Sequence, residues 1–163
     1  MTPKIQKILY ASDLSENARY AFGYAADLAQ RYDARITFLY VMENISTSAE
    51  IWVRDAIGDD KWEKLKTEKL DYFKQKIKSR IEDFCKEMDS QIDSCRLLID
   101  DIQITKGNPA EQILTISKDI EADMIVLGSH GYNILQDALI GGTARRVVRN
   151  SEIPVLVIRL PKK

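Results

Sequence analysis

Residues 123–131 read DMIVLGSHG and, after nine further residues, residues 141–148 read GGTARRVV. The apolar run 125–127 is typical of a strand that is buried on both faces of a sheet. Glycines follow this run, and a helix is expected to begin near Thr143. A glycine-rich loop between a buried strand and a helix N-terminus lies where open α/β sheets bind ligands. The segment therefore predicts both a class of fold and the position of a site.

Outside this segment, short apolar runs alternate with longer stretches of helical periodicity. Such alternation predicts a parallel sheet that is covered by helices on both faces. We expect an α/β fold with an open five-stranded parallel sheet, and the chain length fits a single domain over residues 1–163. The predicted strands are residues 8–11, 36–42, 97–105, 124–127 and 155–160.

Four helices are predicted between these strands. Ser15 is a suitable N-cap for the first, and Asn108 followed by Pro109 is a typical start of the third. The second spans about residues 62–88, and the fourth ends before Pro154. The side chains expected to face the core are Ala18, Ala21, Phe22, Ala25, Leu28, Ala29 and Tyr32 of the first helix, Leu65, Phe73, Ile77, Ile81, Phe84 and Met88 of the second, Ile113, Leu114 and Ile120 of the third, and Ala144, Val147 and Val148 of the fourth.

Residues 43–61 lack a clear period and are expected to be irregular. A segment of this length without regular structure tends to be functional or mobile in a compact domain. We therefore expect it to be the least protected part of the chain in hydrogen exchange.

The two outer strands are expected to differ in character. In residues 101–105, polar and apolar side chains alternate, which suits an exposed edge. The last strand is apolar throughout, with Val155, Leu156, Val157 and Ile158 in sequence. If this strand is also an edge, its unpaired backbone would invite another chain, so a homodimer through it is expected. The alternative is that the segment after Met42 covers it.

Composition excludes several classes of partner. The chain has 24 basic and 25 acidic residues, so nucleic acid is not an expected partner of the whole surface. No apolar run is long enough to span a membrane, and the N-terminal apolar stretch is too short for a signal peptide. Cys85 and Cys95 lack further cysteines or histidines nearby, so packed or free thiols are expected, as in a reducing cytosol.

The glycine-rich loop predicts an anion site. Glycines let backbone N–H groups approach phosphate oxygens, and a helix N-terminus adds partial positive charge. The alternative is that these glycines only form turns and the entry to a helix. Neither a G-x-x-x-x-G-K-[ST] loop nor a G-x-G-x-x-G after the first strand is present. His130 is the only histidine, which excludes chemistry based on two histidines, and no G-x-S-x-G nucleophile elbow is present.

The chain resembles the universal stress protein family over nearly its whole length, in KILYASDLSENA, FLYVME, DMIVLGSHG, GGTARRVV and SEIPVLVI. The resemblance implies an adenine nucleotide alpha hydrolase-like, Rossmann-like fold in the cytoplasm. The family's nucleotide motif is Gly, two residues, Gly, nine residues, Gly, then Ser or Thr. Gly128, Gly131 and Gly141 match this spacing, with Ser129 and His130 inside the loop. ATP is therefore the ligand that the resemblance implies.

The resemblance implies further contacts with the nucleotide. Asp13 matches an acidic position near the ribose and any Mg²⁺ or Mn²⁺, although it also suits a brace for the turn into the first helix. Val41 matches the position whose backbone faces the adenine, and Ala11 stands where the family often has proline. Gly142 departs from the motif, because it lacks the hydroxyl that would hold the terminal phosphates. Thr143 is the neighbouring residue that would compensate.

Three functions remain open at this point. The first is an ATP-binding regulatory protein of the stress response with little or no hydrolysis. The second is a homodimeric interaction protein that has lost nucleotide binding through Gly142. The third is an enzyme, a weak ATPase in which Asp13 positions Mg²⁺.

Overall fold

The computed structural model describes residues 2–88, 95–130 and 140–159. In this part of the chain, five parallel strands form one sheet in the order β3-β2-β1-β4-β5. The strands are β1 (Lys7–Ser12), β2 (Arg35–Met42), β3 (Ile99–Lys106), β4 (Met124–Gly128) and β5 (Val155–Ile158). This is the predicted fold class, and the predicted edge character of β3 is confirmed.

Within the described ranges, five helices and one short 3-10 turn connect the strands. They are α1 (Glu16–Tyr32), α2 (Thr47–Ile57), α3 (Asp59–Met88), the turn Cys95–Leu98, α4 (Pro109–Asp119) and α5 (Gly142–Asn150). The predicted caps are confirmed, because the side chain of Ser15 accepts from Ala18 N and that of Asn108 accepts from Glu111 N. These two caps satisfy backbone donors that the first helical turn leaves without a partner.

Apolar side chains form one cluster on each face of the sheet. On one face, α1 and α3 pack over Ile8, Tyr10, Ile36 and Phe38. On the other face, α4 and α5 pack over Leu9, Leu39, Ile125 and Leu127. The alternation along each strand directs neighbouring side chains to opposite faces, which is why both clusters draw on the same three central strands.

The segment of residues 43–61 is not irregular, so that prediction is wrong. Ser46 caps α2 by accepting from Ala49 N, and Gly58 ends the helix with a φ of 87°. Helix α2 buries none of its residues, and the structure shows it packed against α3. Because α2 buries none of its residues, no stripe of core-facing side chains marks it in the sequence.

Three side chains that were predicted to face the core are exposed instead. The exposed fractions are 52% for Tyr32, 50% for Leu65 and 47% for Val148. Tyr32 is the last residue of α1, and Leu65 lies three residues after the buried Trp62 of α3. Val148 directly follows the buried Val147, and a step of one residue turns a helical side chain by about 100°. The side chain of Met88 is not among those described.

Cys85 and Cys95 form a disulfide, so the prediction of packed or free thiols is wrong. The end of α3 and the 3-10 turn bring their Cα atoms to 5.5 Å, within the range that a disulfide spans. Both residues are buried in the cluster beneath α1 and α3. The available signal in the sequence is the separation of ten residues across a predicted helix end.

Strand β5 is an edge of the sheet, which is the condition for the predicted pairing with another chain, and three of its four residues are only half-buried. Strands β1 and β4 lie between β2 and β5, so the segment after Met42 begins on the far side of the sheet from β5. Among the described residues, no helix is both long and apolar enough to cross a bilayer.

Candidate functional site

The carboxyl ends of β1, β2 and β4 open onto a cleft with a volume of about 710 Å³. The chain runs from β1 through β2 to β3 and then crosses to β4 on the other side of β1. The strand order reverses beside β1, which is the point where open α/β sheets form a ligand crevice. The predicted site residues that line the cleft are Ala11, Asp13, Val41, Gly128, Ser129, His130, Gly141, Gly142 and Thr143. Gly131 lies outside the described residues.

Gly141 makes the closest backbone contact in the cleft wall. Its N–H donates to the carbonyl oxygen of Ser129 over 2.6 Å. A Cβ atom on Gly141 would lie 2.8 Å from that oxygen, closer than real side chains approach. The same atom on Gly128 would make an ordinary contact of 3.6 Å with the His130 carbonyl oxygen. Of these two glycines, Gly141 is therefore the one whose position excludes a side chain.

The N-terminus of α5 faces the cleft without a side-chain cap. Gly141 is the N-cap residue and makes no side-chain hydrogen bond, and the first helical bond runs from Arg145 N to Gly141 O over 3.0 Å. The amides of Gly142, Thr143 and Ala144 therefore have no acceptor within the helix. Together with the helix dipole, these three N–H groups form a site suited to an anion.

Gly142 stands clear of the other described residues. Nothing among the described residues lies within 4 Å of the Cβ atom that a side chain would add there. Both Gly142 and the next residue, Thr143, are exposed at the cleft. A serine at position 142 would thus fit without moving its neighbours.

Ser129 and His130 anchor the loop that follows β4. The Ser129 N–H donates to Ile158 O over 2.8 Å, which ties the loop to β5. The Ser129 hydroxyl and His130 Nδ1 are 3.0 Å apart, and Ser129 is buried. His130 Nε2 is also buried and has no hydrogen-bond partner within the described ranges. These contacts give the pair a role in shaping the loop.

Asp13 braces the turn between β1 and α1 and also lines the cleft. Its Oδ1 accepts from Ser15 N over 3.0 Å and from the Ser15 hydroxyl over 2.6 Å. Both roles considered from the sequence are therefore compatible in space. In the part of the chain that the structure describes, no group of three histidine, cysteine or acidic side chains is arranged to hold a metal ion.

Val41 lies where β2 extends beyond β1. The pairing of β1 with β2 ends at Ser12 and Tyr40, whereas Val41 still pairs with Thr105 of β3. The backbone of Val41 on the β1 side is thus presented at the cleft. Apolar side chains of β2 and α4 complete this wall, together with the acidic Glu43.

Sequence reasoning missed several lining residues, namely Ser12, Leu39, Tyr40, Glu43, Pro109 and Ile113. Leu39 and Ile113 are buried apolar residues that any core would contain, so nothing in their type marked them. Only the sheet order, which places α4 over β2, brings them to the cleft. Glu43 directly follows the end of β2, and Pro109 begins α4. These positions at the ends of elements were the available signal.

The fold and the cleft define a doubly wound α/β protein with an anion-compatible crevice at the point where its strand order reverses. The universal stress protein family model matches residues 4–159 of the chain. The chain therefore belongs to the universal stress protein family.

Individual relatives agree with this assignment. The chain is 28% identical to universal stress protein MJ0577 of Methanocaldococcus jannaschii, over 98% of each chain. The solved structure of that protein superposes with a TM-score of 0.70 at 25% identity, covering 99% of this chain and 100% of the other. UspA from Lactobacillus plantarum superposes with a TM-score of 0.72 at 27% identity, covering 97% and 100%.

A more distant structure shares the fold alone. It is the universal stress protein from Archaeoglobus fulgidus in complex with dAMP, with a TM-score of 0.57 and 15% identity. The superposition covers 94% of this chain and 97% of that one.

Proposed function

We propose that the protein binds ATP in the cleft and acts as a nucleotide-dependent regulator in the stress response, with little or no hydrolysis. The observation that carries this proposal is the uncapped N-terminus of α5, which opens onto the cleft beside the close approach of Gly141 to Ser129. A side chain at Gly141 would clash with the Ser129 carbonyl oxygen and displace the loop beside this N-terminus, so glycine preserves the cradle that a phosphate group would approach.

The cleft offers a partner for each part of the nucleotide. The amides of Gly142 and Thr143 would receive phosphate oxygens, and the exposed backbone of Val41 would face the adenine. Asp13 lies between these two regions and would contact the ribose and a bound Mg²⁺ or Mn²⁺. Such a cation supplies positive charge against the phosphates. A relative with the same fold binds dAMP, which agrees with an adenine ligand.

The contacts of the polar side chains favour binding over turnover. Asp13 Oδ1 already accepts two hydrogen bonds from Ser15, and His130 Nδ1 is paired with the Ser129 hydroxyl. A general base needs a free acceptor within hydrogen-bond reach of the attacking water. Asp13 Oδ1 and His130 Nδ1 therefore already have partners, and His130 Nε2, which has none among the described residues, is buried.

The second candidate function is that of a homodimeric interaction protein without a nucleotide. The half-buried apolar edge of β5 favours it, since an unpaired edge strand is a template for another chain.

In both candidates the place of action is the cytoplasm. Disulfides are uncommon there, but Cys85 and Cys95 are only 2% and 1% exposed, which limits access by reducing thiols.

Calorimetric titration with ATP and Mg²⁺ tests the proposal on three glycine variants. Gly141→Ala adds a methyl group that must displace the Ser129 carbonyl, so we expect ATP affinity to fall by at least about tenfold, or 1.4 kcal/mol. Gly142→Ser adds the motif hydroxyl in free space, so affinity should rise, by up to about tenfold. Each variant is first shown to be folded by circular dichroism.

Gly23→Ala is the matched control. Gly23 lies within α1, and an added methyl group would meet only Phe84 at the ordinary distance of 3.8 Å. ATP affinity should therefore stay as in the parent protein. If folded Gly141→Ala binds ATP as tightly as the parent protein, the phosphates do not bind in the backbone cradle beside Gly141. No binding of ATP by the parent at millimolar concentration would leave the homodimeric interaction protein as the function.

A further inference from the structure

A second cavity, of about 210 Å³, lies behind the turn between β1 and α1. Its inner wall consists of Tyr10, Phe22, Phe38 and Phe84, which belong to the cluster beneath α1 and α3. The cleft described above takes its apolar wall from the cluster on the other face of the sheet. Ser12 lines both, so the turn separates two different spaces.

Two arginines line the second cavity, and their surroundings differ. Arg19 forms an ion pair with Glu87, so its charge is compensated. Arg80 of α3 is half-buried and donates one N–H to the carbonyl oxygen of Leu14. Within the described residues, no carboxylate lies within ion-pair distance of Arg80. A half-buried guanidinium that has no counter-ion among the described residues is costly to desolvate, and it retains donors for a planar acid group.

We propose that this cavity binds a small aromatic monocarboxylate, with its ring against the aromatic wall and its carboxylate on Arg80. A cavity of about 150 Å³ holds a benzene ring, so about 210 Å³ leaves room for a ring and one acid group. The ring would join an existing set of tilted and edge-on contacts, such as that of Phe22 with Phe84 at 4.7 Å. Guanidinium and carboxylate groups pair in a bidentate manner.

Acidic side chains at the rim limit the charge of the ligand. Glu16 and Asp83 are exposed at the opening, and Asp83 lies 4.0 Å from Lys86. Solvent screens these charges from a single carboxylate deeper in the cavity, but a phosphate would bring a second negative charge near them. The cavity therefore favours a monocarboxylate over a phosphate, which distinguishes it from the cleft at α5.

Titration of the ¹⁵N-labelled full chain with benzoate, followed by NMR, tests the proposal. We expect saturable shifts of the amides of Leu14, Arg19 and Phe84, with a dissociation constant of about 0.1–1 mM for a ligand of this size. Neutral benzamide should bind at least about tenfold more weakly, because it cannot form the charged pair. Shifts confined to Val41, Gly128 and residues 141–143 would overturn the proposal.

The matched variants are Arg80→Gln and Lys78→Gln, which remove the same charge from the same helix. Lys78 is exposed and does not line the cavity, so its variant should bind benzoate as the parent does. Arg80→Gln should weaken benzoate binding at least about tenfold and leave benzamide binding unchanged. If Arg80→Gln does not fold, Arg80→Lys keeps the charge without the bidentate geometry and should still weaken benzoate binding severalfold. Equal affinity of the folded Arg80 variant and the parent would overturn the proposal.

Discussion

Asp13 holds two kinds of contact that a single substitution can separate. Its Oδ1 accepts from the backbone and the hydroxyl of Ser15, and its carboxylate lines the cleft. The first contact needs only an acceptor oxygen, whereas contact with a metal-bound nucleotide needs the negative charge. Asparagine supplies the first without the second.

We predict that Asp13→Asn leaves the melting temperature nearly unchanged but weakens binding of ATP with Mg²⁺ by about tenfold, or 1.4 kcal/mol. The loss should be smaller when ATP is titrated in the presence of a chelator, because the metal is then absent. Calorimetry under the two conditions measures both values. Loss of thermal stability with unchanged ATP affinity would assign Asp13 to the turn alone.

Tyr10 lies beneath the same turn, fully buried, and its hydroxyl donates to the carbonyl oxygen of Ala18. Burial is the main cause that raises the pKa of this phenol; a hydrogen bond with Ser12 opposes the rise, and the nearby Asp13 carboxylate adds to it. An unfolded tyrosine ionises near pH 10. The stabilising contribution of the neutral phenol is therefore complete below about pH 10 and is lost as the pH rises further.

We predict that Tyr10→Phe lowers stability by about 1 kcal/mol at pH 7, through loss of one buried hydrogen bond. Above pH 10 the free energy of unfolding should fall less steeply with pH in the variant than in the parent protein. The two slopes should differ by up to about 1.4 kcal/mol per pH unit, the value for one proton. Urea unfolding between pH 8 and 11 measures this difference. Parallel pH profiles for the two proteins would contradict it.

At the scale of elements, the strands and the helices that bury a stripe were predictable, and those that bury little were not. The apolar run 125–127 indicated a central strand, and the alternation of polar and apolar side chains beyond Asp101 indicated an edge strand. Both patterns are informative because side chains repeat every two residues in a strand. Helix α2 escaped detection since it buries no residue, although Ser46 and Gly58 mark its ends. A cap is a local signal, whereas burial depends on contacts with α3 that the local pattern does not contain.

The site was predictable in its backbone part and less so in its walls. Glycine spacing and position after β4 identified the loop, because only a few residue types permit close backbone approach. Leu39, Pro109 and Ile113 come from elements that meet only through the strand order. In the sequence, Leu39 and Ile113 look like ordinary core positions and Pro109 like a helix start, and only tertiary contacts make them the wall of a cleft.

The disulfide between α3 and the 3-10 turn should contribute measurably to stability. It closes a loop of 10 residues, for which chain-entropy arguments give about 3 kcal/mol. We predict that full reduction lowers the melting temperature by roughly 6–10 °C in a protein of this size. Calorimetry with and without a phosphine reductant measures the change.

The double variant Cys85→Ala with Cys95→Ala is the control for this experiment. Its melting temperature should not respond to the reductant, because no disulfide remains. A melting temperature of the parent protein that is unaffected by complete reduction, verified by mass spectrometry, would contradict the prediction.

For the whole molecule, β5 presents one side of its backbone to β4 and the other to its surroundings. Pro154 O accepts from Ile125 N over 3.0 Å, and Ile158 O accepts from Ser129 N over 2.8 Å. Successive residues of a strand direct their backbone groups to alternate sides. Val155 and Val157 thus direct theirs away from β4, where a second copy of the chain would pair.

We predict a homodimer through β5 that Val157→Pro converts to a monomer, because proline removes an outward N–H without removing a bond to β4. Val157→Ala keeps this N–H and should remain dimeric. Light scattering at high micromolar concentration distinguishes the two states. A parent protein that is monomeric under these conditions, or a dimeric proline variant, would contradict the prediction.

The covalent ring between Cys85 and Cys95 has a topological consequence. The chain before it supplies β1 and β2 with Asp13 and Val41, and the chain after it supplies β3, β4 and β5 with the glycine loop. In the sheet, the later strands flank the earlier pair on both sides. A single protease nick inside the ring would thus leave a two-chain molecule whose fragments stay linked until reduced. Each fragment carries half of the cleft, so ATP binding in the nicked protein would report that the two halves remain assembled.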